Sequence, residues 1–498
     1  MKYISTRGEQ IDNASKVILN GIANDGGLYV PSSFPTITPQ EIEEMIGFEY
    51  EKRASHILSK FLTDYTYEEL MEYVQKAYKK FDGEPAPLVK VDDNTYMLEL
   101  WHGPTLAFKD MALTVLPYLL MGARKKDGID KKTLILVATS GDTGKAALEG
   151  FKDVEGAEII VFYPNEGVSL MQKLQMQTTE GKNVHVVGIE GNFDDAQNAV
   201  KDVFDDGEMR KKLFDKGYML SSANSINFGR LVPQIVYYVS AYVDLLGSGE
   251  IENGDQINIA VPSGNFGNIL AAYYAYRMGL PIKHLIVASN QNNVLTDFFN
   301  SGEYDINREF YKTISPSMDI LISSNLERLL FEFADRDSGI IRELMAELKN
   351  SGRYQIDQEK LSQKFPQFLG YYSTEEETFE VIDNFFEQCD YLLDPHTAVG
   401  VSAYFKYISD TLDTDTPAVV VSTANPYKFP QDVYYALTKV QEDDPIKSLK
   451  KLQSYTGIKA PQAIAGLDDK PLNHDLVVPK SKIKDTILKL LKKEDNNE

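Results

Sequence analysis

The chain has 498 residues, which is too long for a single hydrophobic core and predicts two or three domains. Its formal net charge of −23 argues against nucleic acid or an anionic membrane surface as a partner. The single cysteine, Cys389, excludes a disulfide within the chain and fits a reducing compartment. An anionic ligand would need local positive elements, such as helix N-termini or a few basic side chains.

Membrane and metal functions find no support in the sequence. No apolar run is long enough to span a bilayer, and the first residues lack a signal-peptide core, so we expect a cytoplasmic protein without a membrane partner. The six histidines are scattered and lack the short spacing that metal sites use, so no metal is expected.

Residues 1–85 are predicted to form a mostly helical N-terminal unit after a short extended start. Helices are expected over Pro39–Met45 and Tyr67–Lys80, with the loop Asp25–Pro31 before them. At the other end, Ser481–Lys493 has the pattern of a basic amphipathic helix, which we expect to pack on the protein.

In the middle of the chain, short β-branched runs alternate with helical patterns. The predicted strands are Thr133–Ala138, Glu158–Tyr163, Asn183–Gly188, Ile257–Val261, His284–Ala288 and Pro417–Ser422. The predicted helices are Gly144–Phe151, Ser169–Thr179, Asp194–Phe204 and Asn268–Met278. Apolar strands separated by helices indicate parallel sheets covered on both faces, so the predicted fold class is α/β, doubly wound. Ligands in such folds bind beyond the carboxyl ends of the strands.

Lys109 is the residue that we expect to carry the chemistry. It follows Leu106-Ala107-Phe108 at a predicted boundary between a loop and a helix. Burial there would disfavour the ammonium form and lower the pKa, which suits a Schiff-base lysine. A lone lysine at such a place more often packs its stem on apolar surface and keeps its charge in water. The segments downstream favour the catalytic interpretation.

Ser263–Asn268 lies between a predicted strand and a predicted helix and contains two glycines. Glycines let the backbone approach an anion closely, and the helix start adds free N–H groups and a favourable dipole. The segment therefore predicts a phosphate cradle, although many strand-to-helix turns need glycine for steric reasons alone.

Thr139–Ala146 also joins a strand to a helix, and it superficially resembles a P-loop. That motif requires a glycine where this chain has Thr139, and Ser or Thr where it has Ala146. What remains is a nest of hydroxyls and N–H groups that suits a substrate carboxylate. Lys145 could add a positive charge, or it could be an exposed lysine of the first helical turn.

Two further segments follow predicted strands or precede a helix. A hydroxyl in Ser422–Phe429 could hydrogen-bond a ring nitrogen without protonating it, or it could simply cap a turn. In Asn224–Arg230, Asn227 and Arg230 would share one helical face. An arginine beside Asn and Ser suits a phosphate, and a surface ion pair with a carboxylate is the competing interpretation.

Taken together, these segments resemble the threonine synthase family, which consists of pyridoxal-phosphate enzymes of the tryptophan-synthase-like fold (fold type II). The resemblance runs almost end to end, and His102–Asp110 and Asp25–Pro31 are its most diagnostic parts. The other matching segments are Tyr3–Gly8, Ala138–Gly144, Asn224–Asn227, Ser263–Asn268, Asp394–Gly400 and Ser422–Pro426.

The resemblance implies an α/β fold with doubly wound, mostly parallel sheets in two subdomains of the tryptophan synthase β-like kind. We expect a mostly helical N-terminal domain over 1–85, a catalytic region over 86–430 and a C-terminal helical extension over 431–498. The smaller subdomain of the catalytic region is expected over about 130–235.

The resemblance also implies pyridoxal 5'-phosphate as the cofactor and Lys109 as the catalytic residue that forms the Schiff base. The implied cofactor-binding residues are Lys109, Gly264, Asn265, Phe266, Gly267, Asn268, Thr423 and Asp142. The implied substrate-binding residues are Ser140, Gly141, Thr143, Asn227, Arg230 and Lys145. One departure is visible: the family usually has His where this chain has Asn425, and an amide cannot relay a proton near neutral pH.

The implied reaction converts O-phospho-L-homoserine and water to L-threonine and phosphate, the last step of threonine biosynthesis, in a monomer or a homodimer. A threonine or serine dehydratase of the same fold would share the lysine and the cradle but need no site for a substrate phosphate. The sequence also leaves open an inactive threonine-synthase-like homologue and a binding module for a phosphorylated metabolite.

Overall fold

A computed structural model describes residues 1–139, 141–166 and 168–491. The elements of the N-terminal unit are β1 (Tyr3–Ser5), β2 (Ile11–Asp12), α1 (Ala14–Asn20), β3 (Tyr29–Pro31), α2 (Pro39–Glu44), α3 (Tyr50–Phe61) and α4 (Tyr67–Tyr78). Strand β1 pairs antiparallel with both β2 and β3. Helices α2 and α4 begin where predicted, because Thr38 and Thr66 each form a capping box with the glutamate three residues on.

The following elements build most of the middle of the chain. They are β4 (Leu88–Asp92), β5 (Thr95–Glu99), α5 (Asp110–Leu113), α6 (Leu116–Lys126), β6 (Lys132–Ala138), α7 (Asp142–Phe151), β7 (Ala157–Pro164), α8 (Leu170–Gln177), β8 (Val184–Glu190), α9 (Phe193–Asp205), α10 (Gly207–Asp215), β9 (Tyr218–Ser221), α11 (Phe228–Gly247), β10 (Ile257–Pro262), α12 (Gly267–Met278), β11 (Ile282–Ser289) and α13 (Val294–Ser301).

The remaining elements complete the fold. They are β12 (Glu303–Asp305), α14 (Leu326–Phe333), α15 (Ser338–Ser351), β13 (Arg353–Gln355), α16 (Gln358–Lys364), β14 (Phe368–Tyr372), α17 (Glu375–Cys389), α18 (Pro395–Thr411), β15 (Ala418–Ser422), α19 (Pro430–Thr438), α20 (Pro445–Thr456), β16 (Val477–Pro479) and α21 (Ile483–Leu490). Short 3-10 turns occur at Pro316–Met318, Pro426–Lys428, Leu467–Asp469 and Lys480–Lys482.

The larger sheet has the strand order β14-β11-β10-β15-β5-β4 and is parallel except for the antiparallel β4–β5 hairpin at one edge. Its central strands are buried on both faces. Ile259 and Val261 pack in one core with helices α11 and α12, whereas Ala260 packs in another with α18. This alternation is what a strand covered on both sides requires, and it explains the continuous apolar runs in the sequence.

The smaller sheet has the order β16-β8-β7-β6-β9, and each of these neighbouring strand pairs is parallel. Strand β16 comes from the C-terminal part of the chain, where only helix was predicted. Its run of two valines is too short to show a strand pattern in the sequence. The predicted C-terminal helix is found as α21, and Ile483, Ile487 and Leu491 bury its apolar face against the smaller sheet. The predicted end of this helix at Lys493 lies outside the described residues.

Both sheets place their strand ends near the segments singled out in the sequence. Strands β6 and β10 are followed directly by Thr139–Ala146 and Ser263–Asn268, and β15 ends at Ser422, the first residue of Ser422–Phe429. Within the described part of the chain, no helix is long and apolar enough to cross a membrane.

Candidate active site

Lys109 lies at the start of α5, and its side chain is only 12% exposed. Its Nζ donates to Ser317 Oγ at 3.2 Å and lies 3.6 Å from Asp142 Oδ2. Burial lowers the pKa of Lys109, and the nearby cations Lys428 and Arg230 lower it further against the opposing charge of Asp142. The amine is therefore closer to its neutral form than an exposed lysine, as base and Schiff-base chemistry requires.

Asp142 is the anion of the site, in the first turn of α7. Its Oδ1 lies 3.2 Å from Lys428 Nζ, and its Oδ2 accepts from Ser317 Oγ at 3.1 Å. Burial alone would raise the pKa of this carboxyl, but the charges of Lys428 and Lys109 outweigh it and hold the pKa well below its usual range. Asp142 thus remains ionised and balances two buried lysines.

The hydroxyl of Thr139 holds the start of α7 in place. Thr139 Oγ1 accepts from the backbone nitrogens of Gly141 at 3.0 Å and Gly144 at 2.9 Å. Gly141 has a φ of +150°, which strongly favours glycine, and a Cβ there would lie 2.5 Å from the Gln172 side chain. Thr143 follows in the first turn of α7, partly exposed. Ser140, predicted to bind substrate, lies outside the described residues.

The cradle segment Ser263–Asn268 joins β10 to α12 with the backbone packed tightly against its neighbours. A Cβ on Gly264 would lie 2.9 Å from the carbonyl oxygen of Ser317, so only glycine fits. Phe266 adopts a left-handed φ of +62° just before α12. Such a conformation is rare for a non-glycine residue and is found where the surroundings enforce it, often at ligand sites.

Asn268, in the first turn of α12, has an unsatisfied amide. Its Oδ1 accepts from the hydroxyls of Tyr237 and Tyr238, which fixes the orientation of the side chain. Its Nδ2 is buried and has no hydrogen-bond partner among the described residues. A buried donor without a partner costs free energy, and an anion bound at this helix start would satisfy it.

Thr423 lies at the end of β15, beside the segment that carries Lys109. Its carbonyl oxygen accepts from Phe108 N at 2.8 Å, and its own nitrogen donates to Thr397 Oγ1 at 3.1 Å. Its hydroxyl makes no hydrogen bond to a described residue. Asn425, two residues on, uses its Oδ1 to accept from Tyr427 N at 3.0 Å and so caps a 3-10 turn.

Arg230 is buried in the first turn of α11, so the interpretation as a surface ion pair is wrong. Its Nη1 donates to Ala223 O at 2.8 Å, and its Nε has no partner within the part of the chain that the structure describes. Burial lowers the pKa of Arg230 to about 10. No described carboxylate pairs with this cation, which leaves its charge available to an anionic ligand.

Two other predicted substrate residues have their polar groups occupied. Asn227 caps α11 by accepting from Gly229 N at 2.8 Å and donates to Ile18 O at 3.0 Å. Lys145 is buried, and its Nζ contacts Glu149 and, at 2.9 Å, Thr179 Oγ1. Among the described residues, no contact joins Lys145 to the other site residues. Substrate binding by Asn227 and Lys145 stays a prediction that this geometry does not support.

Three residues that the sequence analysis left without a role complete the site. Lys428 Nζ donates to Thr105 O at 2.7 Å and pairs with Asp142, while Ser317 bridges Asp142 and Lys109. His396 accepts from Ser317 N through its Nε2 at 3.1 Å. His396 lies in Asp394–Gly400, a segment that carries the family resemblance, and Lys428 lies two residues beyond another such segment, Ser422–Pro426; this nearness was the available signal. Ser317 lies in a segment without any glycine-rich or strand-end pattern.

Comparison with known proteins agrees with this geometry. Residues 2–78 match the family model of the threonine synthase N terminus, residues 82–423 that of pyridoxal-phosphate dependent enzymes, and residues 397–485 that of the threonine synthase C-terminal region. The threonine synthase of Pseudomonas aeruginosa is 39% identical over 439 residues, which cover 87% of this chain and 90% of that protein. The chain belongs to the threonine synthase family.

Other relatives extend this result. The crystal structure of pyridoxal-phosphate-bound threonine synthase from Brucella melitensis superposes with a TM-score of 0.88 at 38% identity, covering 99% of this chain and 100% of that chain. Threonine synthase-like 1 of Pongo abelii is 39% identical over 480 residues, 92% of this chain. The chain spans only 63% of that relative's length. These findings confirm the predicted family, fold class and cofactor, pyridoxal phosphate.

Proposed function

We propose that the chain is a threonine synthase, which converts O-phospho-L-homoserine and water to L-threonine and phosphate. The observation that carries the proposal is a buried lysine, Lys109, whose pKa is lowered in part by the charge of a buried arginine, Arg230, that has no carboxylate partner among the described residues. The lysine supports chemistry at an amino acid, and the arginine supports recognition of a phosphate on that amino acid.

The residues present fit the cofactor. The unsatisfied Asn268 Nδ2 and the glycine-lined start of α12 would hold its phosphate, and the hydroxyl of Thr423 would face its ring nitrogen. Lys109 would anchor it covalently. When bound, pyridoxal phosphate serves as the electron sink that makes Cα–H and Cγ–O bonds of the substrate labile.

Lys109 would supply the proton transfers. The free amine of Lys109, whose pKa is lowered, would remove a proton from Cα of the bound substrate. That proton must leave the amine before the amine removes the second proton, from Cβ. Asp142 stays ionised and holds Lys109 and Lys428 in place throughout. The start of α7 would meet the substrate carboxylate with backbone N–H groups and the hydroxyl of Thr143.

The test is a visible absorption spectrum of the purified protein combined with an assay of phosphate release from O-phospho-L-homoserine. We expect an absorption band that borohydride fixes to Lys109, and threonine and phosphate in equal amounts. A Lys109→Ala variant should lose both the band and the activity. Ammonia release from threonine without phosphate release would instead identify a dehydratase, and a colourless, inactive wild-type protein would identify a non-catalytic homologue.

Arg230 provides the test of substrate class. Arg230→Ala should raise the KM for O-phospho-L-homoserine at least tenfold, because it removes a charge-assisted phosphate contact worth about 1.5–3 kcal/mol. The absorption band should persist, since the cofactor's phosphate is held elsewhere.

The matched control for Arg230 is Arg124→Ala. Arg124 is a similarly buried arginine that donates to a backbone carbonyl, Gly156 O at 2.9 Å, and it lies outside the site. This variant should leave KM unchanged. If both variants behaved alike, or if Arg230→Ala lost the cofactor, the phosphate-binding role of Arg230 would be wrong.

The proposed setting is the cytoplasm, with the protein as a monomer or a homodimer. The single cysteine, Cys389, supports a reducing compartment. Size-exclusion chromatography with light scattering measures the assembly directly.

A further inference from the structure

Ser317 lies in a 3-10 turn, Pro316–Met318, within the segment that connects β12 to α14. Its hydroxyl bridges the two charged groups at the centre of the site: Oγ is 3.2 Å from Lys109 Nζ and 3.1 Å from Asp142 Oδ2. An ionised carboxylate only accepts hydrogen bonds, so the hydroxyl proton points to Asp142. The oxygen of Ser317 is then left to accept a hydrogen bond from the Lys109 amine.

The backbone of Ser317 is fixed by a hydrogen bond to a buried histidine, His396. Ser317 N donates to His396 Nε2 at 3.1 Å, and His396 Nδ1 lies 2.9 Å from Asp394 Oδ1. Because Nε2 accepts from Ser317 N, the ring N–H that faces Asp394 lies on Nδ1 and donates to Asp394. Asp394 is itself held as the N-cap of α18, so the acceptor that faces His396 Nδ1 is fixed in place.

Both sides of the Ser317 turn are also fixed. On one side, the carbonyl oxygen of Ser317 packs so closely on Gly264 that a Cβ on Gly264 would lie 2.9 Å from that oxygen. On the other, Asp319 accepts from Asn290 Nδ2 at 2.8 Å and from Thr313 N at 2.8 Å. The backbone of the turn is therefore held between the cradle and a partly buried polar network, which places the Ser317 side chain beside Lys109 and Asp142.

We propose that Ser317 is a further catalytic residue, which orients the free amine of Lys109, and that His396 is a positioning residue that holds Ser317 in place. The role of Lys109 as a base rests on the proposed function, whereas the hydrogen bond between Lys109 and Ser317 does not. Lys109 donates a hydrogen bond to Ser317, and Ser317 donates one to Asp142. One N–H bond of the amine is thereby held in a fixed direction, which restricts the direction of the nitrogen lone pair. A base that must reach first Cα and then Cβ gains from such fixed geometry.

The first experiment measures Lys109 in the cofactor-free full-length protein. Competitive labelling with acetic anhydride over a series of pH values, with the Lys109 peptide quantified by mass spectrometry, yields the pKa of this one amine. Ser317→Ala should lower that pKa by about one unit, because the ammonium loses an acceptor worth about 1.5 kcal/mol. Ser317→Thr keeps the hydroxyl and should restore it.

Ser315→Ala is the matched control for this measurement. Ser315 lies in the same segment, but its Oγ accepts from Asn290 Nδ2 at 2.9 Å and makes no contact with Lys109. Asn290 retains Thr313 Oγ1 and Asp319 Oδ1 as acceptors when that hydroxyl is removed. The pKa of Lys109 should therefore stay at its wild-type value. An equal decrease in Ser315→Ala and Ser317→Ala would reduce Ser317 to a packing role and overturn the proposal.

The second experiment separates positioning from packing in the holoenzyme. Ser317→Ala and His396→Leu should each lower kcat at least tenfold with little change in KM, since substrate contacts remain. His396→Gln offers an amide oxygen near the position of Nε2 and should recover most of the kcat. If His396→Gln and His396→Leu were equally impaired, or if KM rose while kcat held, His396 would not act through Ser317.

The two experiments also separate this proposal from the proposed function. A lowered Lys109 pKa in Ser317→Ala, in a protein that releases no phosphate from phosphohomoserine, would uphold the contact and overturn the threonine synthase assignment. If Ser317→Ala left the Lys109 pKa and kcat unchanged in a protein that makes threonine, the role of Ser317 would be overturned and the threonine synthase assignment upheld.

Discussion

Asp110 follows Lys109 directly and is completely buried, with its oxygens accepting from Thr105 N and Thr105 Oγ1 at 2.7 and 2.6 Å. Burial raises the pKa of Asp110 from 3.8 to about 6, and the two hydrogen bonds and Lys428 only partly oppose it. Between about pH 4 and 6 the folded protein therefore keeps a proton that the unfolded chain has lost. The stability that this provides is complete below about pH 4 and disappears as the pH rises through about 6.

Asp110→Asn removes this titration. The free energy of unfolding of the variant, relative to that of wild type, should therefore increase by about 3 kcal/mol as the pH rises from about 4 to 7. Thermal unfolding midpoints of both proteins at several pH values measure the effect. At the acidic end of this range the variant should be the less stable protein, because the amide cannot accept both Thr105 hydrogen bonds. A difference that stayed constant with pH would show that Asp110 does not titrate in this range.

At the scale of single residues, the sequence predicted the groups that lie in distinctive local patterns. Lys109 and the cradle glycines have such patterns, since a loop that approaches an anion needs glycine at fixed places. Ser317 has none, because its role depends on two partners from distant parts of the chain. Asn425 shows the converse case: a residue whose identity departs from the family serves here as a turn cap, which an amide performs well.

At the scale of elements, prediction succeeded for strands with uninterrupted β-branched apolar runs and missed strands that lack them, such as β5 and β16. Strands such as β10 and β15 are buried on both faces, so their sequences are uninterrupted apolar runs. Strand β16 has only three residues and depends on pairing with β8, where Val477 lies opposite Gly188. Nothing local in the sequence distinguishes it from a loop.

The C-terminal strand and helix should be stabilised as one unit by Ile487. This residue is fully buried in α21 and packs in the core beneath the smaller sheet. Ile487→Ala should cost about 2–5 kcal/mol locally. Hydrogen exchange should then increase in β16 and along the β8 edge, while the larger sheet keeps its protection.

Lys489→Ala is the control for the same helix, because Lys489 is exposed two residues further on. It should leave hydrogen exchange unchanged. Uniform loss of protection throughout the molecule in Ile487→Ala would mean that the C-terminal segment unfolds only with the whole protein.

At the scale of the whole molecule, Arg328 shows why the arrangement of the parts could not be predicted from local patterns. This side chain is completely buried, and its nitrogens donate to Tyr29 O at 2.9 Å in the N-terminal unit and to Ile226 O at 2.6 Å before α11. It also donates to Asn325, which in turn donates to Asn265 O in the cradle. Backbone carbonyls have no sequence signature, so such a junction is visible only in the fold.

The place of β16 in the smaller sheet has a consequence for synthesis of the protein. The pairing edge of β8 is complete at residue 190, but its partner begins at residue 477. At roughly 5–20 residues per second, ribosomes need on the order of 15–60 s to make the chain between them. During that interval a hydrophobic parallel sheet presents an open edge, the feature that invites association with other chains. The nascent protein thus passes through an aggregation-prone stage that ends only when the last strand docks.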